Sequence, residues 1–302
     1  MKELYFSIGT IIIDDIRLPD GTEQTAILGG GLTHAAMGMR IWSESIGLVS
    51  GVGDDFKGSY LDEIKTYFNV EKLKITPNLP TPRAWQVFDQ EGNRHEIFQT
   101  RFEEMDKFIP SPEVLSEEAS KISGVHLHCL PNDVPRWTKV LRGRGCDVIL
   151  WEPWDGFCLE ENQTQFKEYC SMVDIVSPNL REGRSITGLK EPNEVVLQLK
   201  QYGSRIAVLR MAEKGSLIAD EKENIISIQA YPVSEIVDVT GAGNAYCGGF
   251  VVGYYRTGDV ENAGWYGGVS ASFALQQFGA IYPVDGIASE GESRLTWYKK
   301  KL

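Results

Sequence analysis

The sequence predicts an α/β protein with a mostly parallel sheet, and three observations support that fold class. From Val125 onward, short apolar runs typical of buried strands alternate with helical stretches. The 302 residues are enough for one large α/β domain or two small ones. A turn of small residues at 241–243 precedes an apolar run that is predicted to be a helix.

In the amino-terminal part, strands are predicted at 5–13 and 45–52, and helices at 32–42 and 59–68. The segment 83–98 differs, because two short apolar pairs flank the turn sequence Glu91-Gly92-Asn93-Arg94. That arrangement is typical of a β-hairpin. Most of its residues are polar or amphipathic, so we expect a flap beside the core.

In the carboxy-terminal part, predicted strands at 125–130, 148–151, 175–176 and 206–209 alternate with helical stretches such as 135–142 and 163–169. This alternation predicts βαβ units and a parallel sheet. A ligand then belongs at the carboxyl ends of the strands. The segment 216–228 is predicted to be a short hairpin, and 243–277 to be largely helical.

Composition excludes some classes of partner. The net charge of −12 argues against nucleic acid or an anionic membrane as the main partner. No apolar run approaches the roughly 18 residues of a membrane span. The five cysteines are odd in number and irregularly spaced, without a Cys-x-x-Cys pair. We therefore expect free thiols in a reducing cytosol, and a cytoplasmic protein.

The strongest chemical signal is the stretch Asp238-Val-Thr-Gly-Ala-Gly-Asn-Ala-Tyr246. The main-chain amides of Gly241, Ala242 and Gly243 can converge on an anion at the start of the following helix, which predicts a phosphate site. A tight turn before a buried helix is the alternative. The stretch matches neither the dinucleotide fingerprint nor the Walker A loop.

Five motifs in order resemble the PfkB, or ribokinase-like, family of carbohydrate kinases. They are Gly29–Ala36, Ser50–Asp55, Asn179-Leu-Arg-Glu182, Asp238–Phe250 and Gly279–Pro283. Together with Trp151-Glu-Pro153 and Ser177-Pro-Asn179, they are similar to the Mak32-like branch of that family. The resemblance covers nearly the whole chain.

The resemblance implies a three-layer α/β/α sandwich in one domain spanning 1–302, with a small β lid formed by about 13–27 and 83–101. It implies an ATP-dependent, Mg²⁺-requiring phosphotransferase that acts on an alcohol group of a sugar, nucleoside or related small molecule. A monovalent cation and a homodimer through the lid are further options that the family leaves open.

The same resemblance assigns site residues. Substrate hydroxyls would meet Asp14, Gly30, Gly31 and His34; a turn carboxylate at Asp14 and a packed histidine at His34 are the alternatives. The nucleotide would meet Asn179, Thr240, Gly241, Gly243, Gln276 and Gly279, with Ala242 completing the anion hole. Asn179 and Glu182 would hold Mg²⁺ through water. A helix capping box is the alternative for that pair, and both roles are compatible.

Asn244 departs from the family pattern. The resemblance implies that family members have an aspartate at this position, which acts as the catalytic base. An amide cannot take a proton near neutral pH. Three carboxylates are candidates for a substitute base: Asp238, Glu152 and Asp155. The alternatives to a kinase are a pseudokinase that binds nucleotide or sugar in a regulatory role, and a nucleotide-dependent enzyme of another reaction in which Asn244 orients water or substrate.

Overall fold

A computed structural model describes residues 3–56, 58–90, 94–116, 118 and 120–301. Strands and helices alternate along most of this chain. The strands are β1 (Tyr5–Ile8), β2 (Ile12–Arg17), β3 (Glu23–Gly29), β4 (Ile46–Gly53), β5 (Asn69–Thr76), β6 (Arg83–Phe88), β7 (Arg94–Phe98), β8 (Gly124–Leu127), β9 (Val148–Trp151), β10 (Ile175–Val176), β11 (Ile206–Arg210), β12 (Ser216–Ala219) and β13 (Ile225–Ile228). The α-helices are α1 (Gly31–Arg40), α2 (Ser59–Tyr67), α3 (Phe102–Met105), α4 (Val134–Gly143), α5 (Gln163–Cys170), α6 (Leu180–Thr187), α7 (Pro192–Gln201), α8 (Ala242–Thr257), α9 (Val260–Ala274) and α10 (Ile287–Lys301).

The larger of the two sheets in the described residues has the strand order β13-β12-β11-β10-β9-β8-β1-β4-β5. Its strands from β11 to β5 are parallel, and β12 and β13 extend one edge in antiparallel pairing. Because seven parallel strands end on the same side, the loops that follow them share one edge of the sheet. The predicted hairpin at 216–228 is part of this sheet.

Apolar side chains cover both faces of this sheet, which makes three layers. One core contains residues of α1, α8, α9 and α10 packed on alternate strand residues such as Leu48 and Leu150. The other contains residues of α4, α5, α6 and α7 packed on the intervening residues, such as Val49 and Ile149. The continuous apolar runs of the parallel strands follow from this two-sided burial. The predicted α/β fold is confirmed.

The smaller sheet, which we call the lid, has the order β3-β2-β6-β7. It comprises two hairpins, joined by parallel pairing of β2 with β6. Its strands lie within 12–29 and 83–98. The predicted glycine turn of the second hairpin, at 91–93, lies outside the described residues. All five residues of β7 are exposed, so this edge strand contributes little to the core.

Helices α1 and α8 approach each other closely because glycines face their neighbours' backbone. A Cβ on Gly38 would lie 2.2 Å from the carbonyl oxygen of Ala245, and a Cβ on Gly248 would lie 2.0 Å from that of Ala35. Neither position has room for a side chain. The amino termini of both helices are therefore held side by side at the carboxyl edge of the large sheet.

Strand β5 is absent from the sequence-based prediction. It is an edge strand in which most residues are exposed or half-buried, so it has no apolar run. All five cysteines are buried and none forms a disulfide, in agreement with the predicted free thiols. Over the described part of the chain, every helix is too short or too polar to span a bilayer.

Candidate functional site

Polar side chains from four strands meet at the carboxyl edge of the large sheet. His126 lies in β8, Glu152 directly follows β9, Ser177 directly follows β10 and Arg210 ends β11. All except Arg210 are less than 5 % exposed, and Arg210 is half-buried. In a doubly wound α/β fold this edge is where ligands bind.

The turn before α8, at 241–243, has the geometry of an anion site. Gly241 adopts φ 74°, in the left-handed region that favours glycine, and no side chain caps the helix. Within the part of the chain that the structure describes, the amides of Gly243 and Asn244 donate no hydrogen bond. Both residues are half-buried, so an anion can reach them. The turn is thus open to a phosphate group.

Two side chains pack against the glycines of this turn. A Cβ on Gly241 would lie 2.0 Å from Cγ of His34, and a Cβ on Gly243 would lie 2.3 Å from Nη1 of Arg210. Any larger residue would displace an imidazole or a guanidinium. The two glycines are therefore required by packing as well as by backbone conformation.

The side chain of Asn244 contacts Glu152, one of the three carboxylates that the sequence offers as a substitute base. Asn244 Nδ2 donates to Glu152 Oε2 over 2.9 Å, and His126 Nε2 lies 2.7 Å from the same oxygen. Arg210 Nη1 lies 2.7 Å from Glu152 Oε1. Burial alone raises the pKa of Glu152, but the charge of Arg210 and the hydrogen bond from His126 outweigh it and hold that pKa below its usual range.

His126, Glu152 and Cys247 place potential metal-ligand atoms within 4.8 Å of one another. Their environment does not suit a metal ion. Arg210 and Asn244 already donate to both oxygens of Glu152. Burial raises the pKa of the Cys247 thiol far above its usual range, so this group is no thiolate ligand. His126 and His128 both hydrogen-bond to Glu152, His126 to its carboxylate and His128 to its carbonyl oxygen.

The three glycines at the start of α1, Gly29, Gly30 and Gly31, are each required for a different reason. A Cβ on Gly29 would lie 1.9 Å from Oδ2 of Asp14. Gly30 has φ 85°, which favours glycine. A Cβ on Gly31 would lie 2.9 Å from Nδ2 of Asn244. The glycine run therefore joins the lid carboxylate to the 241–243 turn and Asn244.

Asp14 lies on β2 of the lid and is 2 % exposed. Burial raises the pKa of its carboxyl to about 7, although the hydrogen bond from Gln86 Nε2 (3.0 Å to Oδ1) lowers it. Gln86 also donates to Glu96 and accepts from Arg94 Nη1 at 3.2 Å. A buried carboxyl that titrates near neutral pH, in a polar cluster of the lid, is typical of a ligand site.

His34 is buried, and neither of its ring nitrogens has a hydrogen-bond partner among the described residues. Burial, together with the positive charge of Arg94, lowers its pKa to about 3. The imidazole is therefore neutral, with one donor and one acceptor unused. Unpaired polar atoms are rare in protein interiors, so this side chain is a candidate for contact with a ligand.

Asn179 and Glu182 form the capping box that was the alternative for this pair. Asn179 Oδ1 accepts from the Glu182 amide at 2.9 Å, and Glu182 Oε2 accepts from the Asn179 amide at 2.8 Å. Glu182 Oε2 also lies 3.8 Å from Arg210 Nη2. The second carboxylate oxygen of Glu182 has no partner among the described residues, so the capping role leaves one oxygen for a hydrated metal ion.

The remaining predicted residues lie around the turn. Asp238 Oδ1 accepts from the Thr240 amide at 2.9 Å, so this carboxylate organises the turn. Asp155 is exposed and pairs with Arg181 at 2.7 Å. Gln276 is exposed just after α9, whereas Gly279 is buried against Ile27 of the lid.

Two polar lid residues, Gln86 and Arg94, are absent from the sequence-based site. Gln86 had a usable signal, because it alternates with Ala84 and Phe88 on the buried face of β6 and is therefore a polar residue at a core position. Arg94 had none, since it belongs to a strand whose five residues are all exposed.

Comparison with known proteins gives the same family as the motifs. The model of the family described as "pfkB family carbohydrate kinase" matches residues 2–286. A cytidine kinase of Thermococcus kodakarensis is 26 % identical over 90 % of this chain and 96 % of its own length. The protein MAK32 of Saccharomyces cerevisiae is 26 % identical over 92 % of this chain and 86 % of its own.

Among solved structures, the ribokinase of Arabidopsis thaliana in complex with ribose and ATP has a TM-score of 0.73 at 16 % sequence identity. The match covers 98 % of this chain and 99 % of the ribokinase. At that identity the likeness shows the fold alone, which is the ribokinase-like α/β fold.

Proposed function

The chain belongs to the PfkB family of carbohydrate kinases, and from that premise we propose that it binds a magnesium–nucleotide complex at the 241–243 turn and phosphorylates an alcohol group of a nucleoside or sugar. The resemblance of the motifs to this family and its Mak32-like branch is confirmed. The observation that carries the proposal is the pair of Gly243 and Asn244 amides, which have no hydrogen-bond partner among the described residues, at the half-buried start of α8.

Nucleotide phosphates fit this turn for electrostatic reasons. The partial positive charge at the amino terminus of a 16-residue helix favours an anion, and free amides can donate to it. The protein's net charge of −12 repels a polyphosphate, so the negative charge of a bound polyphosphate must be balanced locally. Glu182, with Asn179, is the candidate to hold Mg²⁺ through water, and the ion would neutralise charge on the transferring phosphoryl group.

For the acceptor we favour a molecule with a ribose-like diol. The cytidine kinase relative is named for a nucleoside, and the ribokinase of the same fold was solved with ribose. When ionised, the Asp14 carboxylate can accept two hydroxyl hydrogens, and the neutral His34 imidazole offers one further donor and acceptor. Together these groups suit a polyol that lies between the lid and the turn.

Asn244 sets an expectation for the rate. General-base catalysis typically contributes about 10²–10⁴-fold, and an amide cannot supply it. Phosphoryl transfer depends mainly on positioning and electrostatic stabilisation, which need no base. We therefore expect slow transfer, with Asn244 orienting the acceptor hydroxyl.

A pseudokinase is the second candidate, and one observation favours it. Each candidate for the substitute base already has a partner: Glu152 forms an ion pair with Arg210, Asp238 uses Oδ1 to hold the turn, and Asp155 pairs with Arg181 at the surface. If no carboxylate accepts the hydroxyl proton, ligand binding without turnover is the expected behaviour.

Isothermal titration calorimetry with MgADP, followed by a phosphate-transfer screen over nucleosides and sugars, tests the proposal. We expect MgADP binding in the wild type and an unchanged affinity in Asp14→Asn, because Asp14 belongs to the lid. For the acceptor that the screen identifies, Asp14→Asn should lose at least about tenfold in affinity, since a charge-assisted hydrogen bond becomes a neutral one.

Absence of MgADP binding would refute both the kinase and the pseudokinase. Binding of MgADP and of an acceptor without turnover would select the pseudokinase. Turnover of nucleotide without phosphorylated acceptor would point to a different reaction in which Asn244 orients water.

We also propose a homodimer through the lid. Ile97 and Phe98 of β7 are about half exposed, at 54 % and 48 %, and the outer edge of β7 pairs with no described strand. Open edges and exposed apolar side chains favour pairing with a second copy. Light scattering of the wild type and of Phe98→Glu measures the oligomeric state.

A further inference from the structure

We propose that Glu152 and Asn244 act as one carboxylate–amide unit with a single negative charge, in which Glu152 is a positioning residue that holds the Asn244 amide oxygen toward the acceptor site. The role at the acceptor site rests on the proposed function, whereas the unit itself is a property of the folded chain. The unit implies that an aspartate at position 244 is incompatible with Glu152.

The contacts of Glu152 define the unit. An ionised carboxylate only accepts hydrogen bonds, and Oε2 receives them from Asn244 Nδ2 and His126 Nε2 while Oε1 receives one from Arg210. The amide of Asn244 must therefore present its nitrogen to Glu152. Its Oδ1 faces away, and no described residue donates to it, so it is free for a ligand hydroxyl.

Asn244→Asp would place two carboxylates about 2.9 Å apart, the present distance between Asn244 Nδ2 and Glu152 Oε2. Two carboxylates in one site cannot both ionise at neutral pH, so one must bind a proton. The only cation that ion-pairs with Glu152 among the described residues is Arg210, which also faces Glu182. This single substitution therefore adds charge that the site cannot balance.

The exchanged pair, Glu152→Gln with Asn244→Asp, satisfies every hydrogen bond. The new amide at 152 can donate one hydrogen to the new carboxylate at 244 and the other to His126 Nε2. His126 Nδ1 then carries the ring proton and donates to Ser7 Oγ, 3.0 Å away, while Ser7 donates to Leu32 O at 2.9 Å. The charge of the unit stays at −1.

Other titratable groups face the unit, and they are common to all variants. They are His126 and His128 from β8 and its loop, Arg210 from β11, Glu182 from α6, Cys247 from α8 and His34 from α1. Differences between variants at each pH therefore isolate the charge at 152 and 244.

The test is a thermal-unfolding cycle at pH 5 and pH 8 without ligand, on the wild type, Glu152→Gln, Asn244→Asp and the double variant. Asn193→Asp, at an exposed position of α7, adds the same charge as a matched control. We expect Asn244→Asp to lower Tm by several degrees at pH 8 and by less at pH 5, because the extra carboxylate binds a proton only in the folded protein. Asn193→Asp should show no such difference.

The double variant tests most directly whether Glu152 and Asn244 act as one unit. A Tm close to that of the wild type at both pH values, and above the value expected from adding the two single changes, supports the unit. Additive changes, or an equal loss of Tm in Asn244→Asp relative to the wild type at the two pH values, would overturn it. Failure of Asn244→Asp to fold at pH 8, with a folded double variant, also supports the unit.

Phosphate transfer gives an independent second readout. In the double variant the hydroxyl oxygen of the acceptor bonds to the γ-phosphorus of the nucleotide, and the bond from that phosphorus to the departing nucleoside diphosphate breaks. The hydroxyl proton moves to the new carboxylate at 244. We expect at least about a hundredfold faster transfer than in the wild type, at the low end of base catalysis. An equal gain in Asn244→Asp alone would contradict the unit. If no variant transfers phosphate, the proposed function fails while the stability cycle still decides the inference.

Discussion

The imidazole of His34 lies directly against Gly241, so closely that a Cβ on that glycine would be 2.0 Å from the ring. This contact joins the first turn of α1 to the turn before α8. The lid, the glycine run and the 241–243 turn are thereby held in one arrangement before any ligand binds. Four predictions follow from such contacts.

The neutral state of His34 predicts a loss of stability in acid. The pKa of an unfolded histidine is near 6.5 and burial lowers the folded value to about 3, so the unfolded chain binds more protons as the pH falls between these values. At pH 4.5 this costs the wild type about 2–3 kcal/mol relative to pH 7. In His34→Gln we expect that acid-dependent loss to disappear. Urea unfolding of both proteins at pH 7 and pH 4.5 measures this loss of stability. A loss of the same size in His34→Gln and in the wild type would contradict the prediction.

The raised pKa of Asp14 predicts the opposite pH dependence. Its folded pKa of about 7 lies above the unfolded value of 3.8, so the folded state holds an extra proton between them and loses stability as the pH rises. Relative to the wild type, Asp14→Asn should gain up to roughly 3 kcal/mol between pH 4.5 and pH 8. Asp15→Asn controls for the loss of a carboxylate from the same strand. No gain at pH 8 would show that Asp14 is already ionised without cost.

Glu182→Gln separates capping from metal binding, because glutamine also completes a capping box. We expect little change in Tm but at least about tenfold weaker binding of MgADP, with ADP alone unaffected, since Mg²⁺ prefers charged oxygen ligands. Titration calorimetry with and without Mg²⁺ measures both. Equal weakening in the two conditions would mean that Glu182 acts only through Arg210. Asn179→Ala, which removes the cap, should instead cost about 1 kcal/mol of stability.

Gly248→Ala tests the close approach of α1 and α8. Its methyl group would lie 2.0 Å from the carbonyl oxygen of Ala35, so the helices must separate, at a cost of about 1–3 kcal/mol or more. Gly143→Ala, at the end of α4 with no atom within 4 Å of the new methyl group, is the control and should stabilise by about 0.5–1 kcal/mol. Urea midpoints of the two variants should move in opposite directions.

The sequence predicts most of the fold because its central strands are buried on both faces and appear as continuous apolar runs, as in β9 and β11. The edge strand β5 is missed because its residues pack on one side only and alternate irregularly with lysines. In both cases burial decides how visible a strand is.

The site is partly visible for a similar reason. The glycines of the 241–243 turn and the amide of Asn244 are local features. The hydrogen bond from Asn244 to Glu152 joins residues 92 positions apart, and the residue types alone do not encode it. Both residues are identified from the sequence, and the fold shows that they are hydrogen-bonded to each other.

The burial of all five cysteines has a practical consequence for measuring motions of the native protein. Burial raises the pKa of each thiol, so the folded chain offers no reactive thiolate to an alkylating reagent. Modification then requires transient opening of the surrounding structure. Mass spectrometry of alkylated Cys247 reports opening around the start of α8, and Cys170 reports opening of the opposite layer, without any engineered probe.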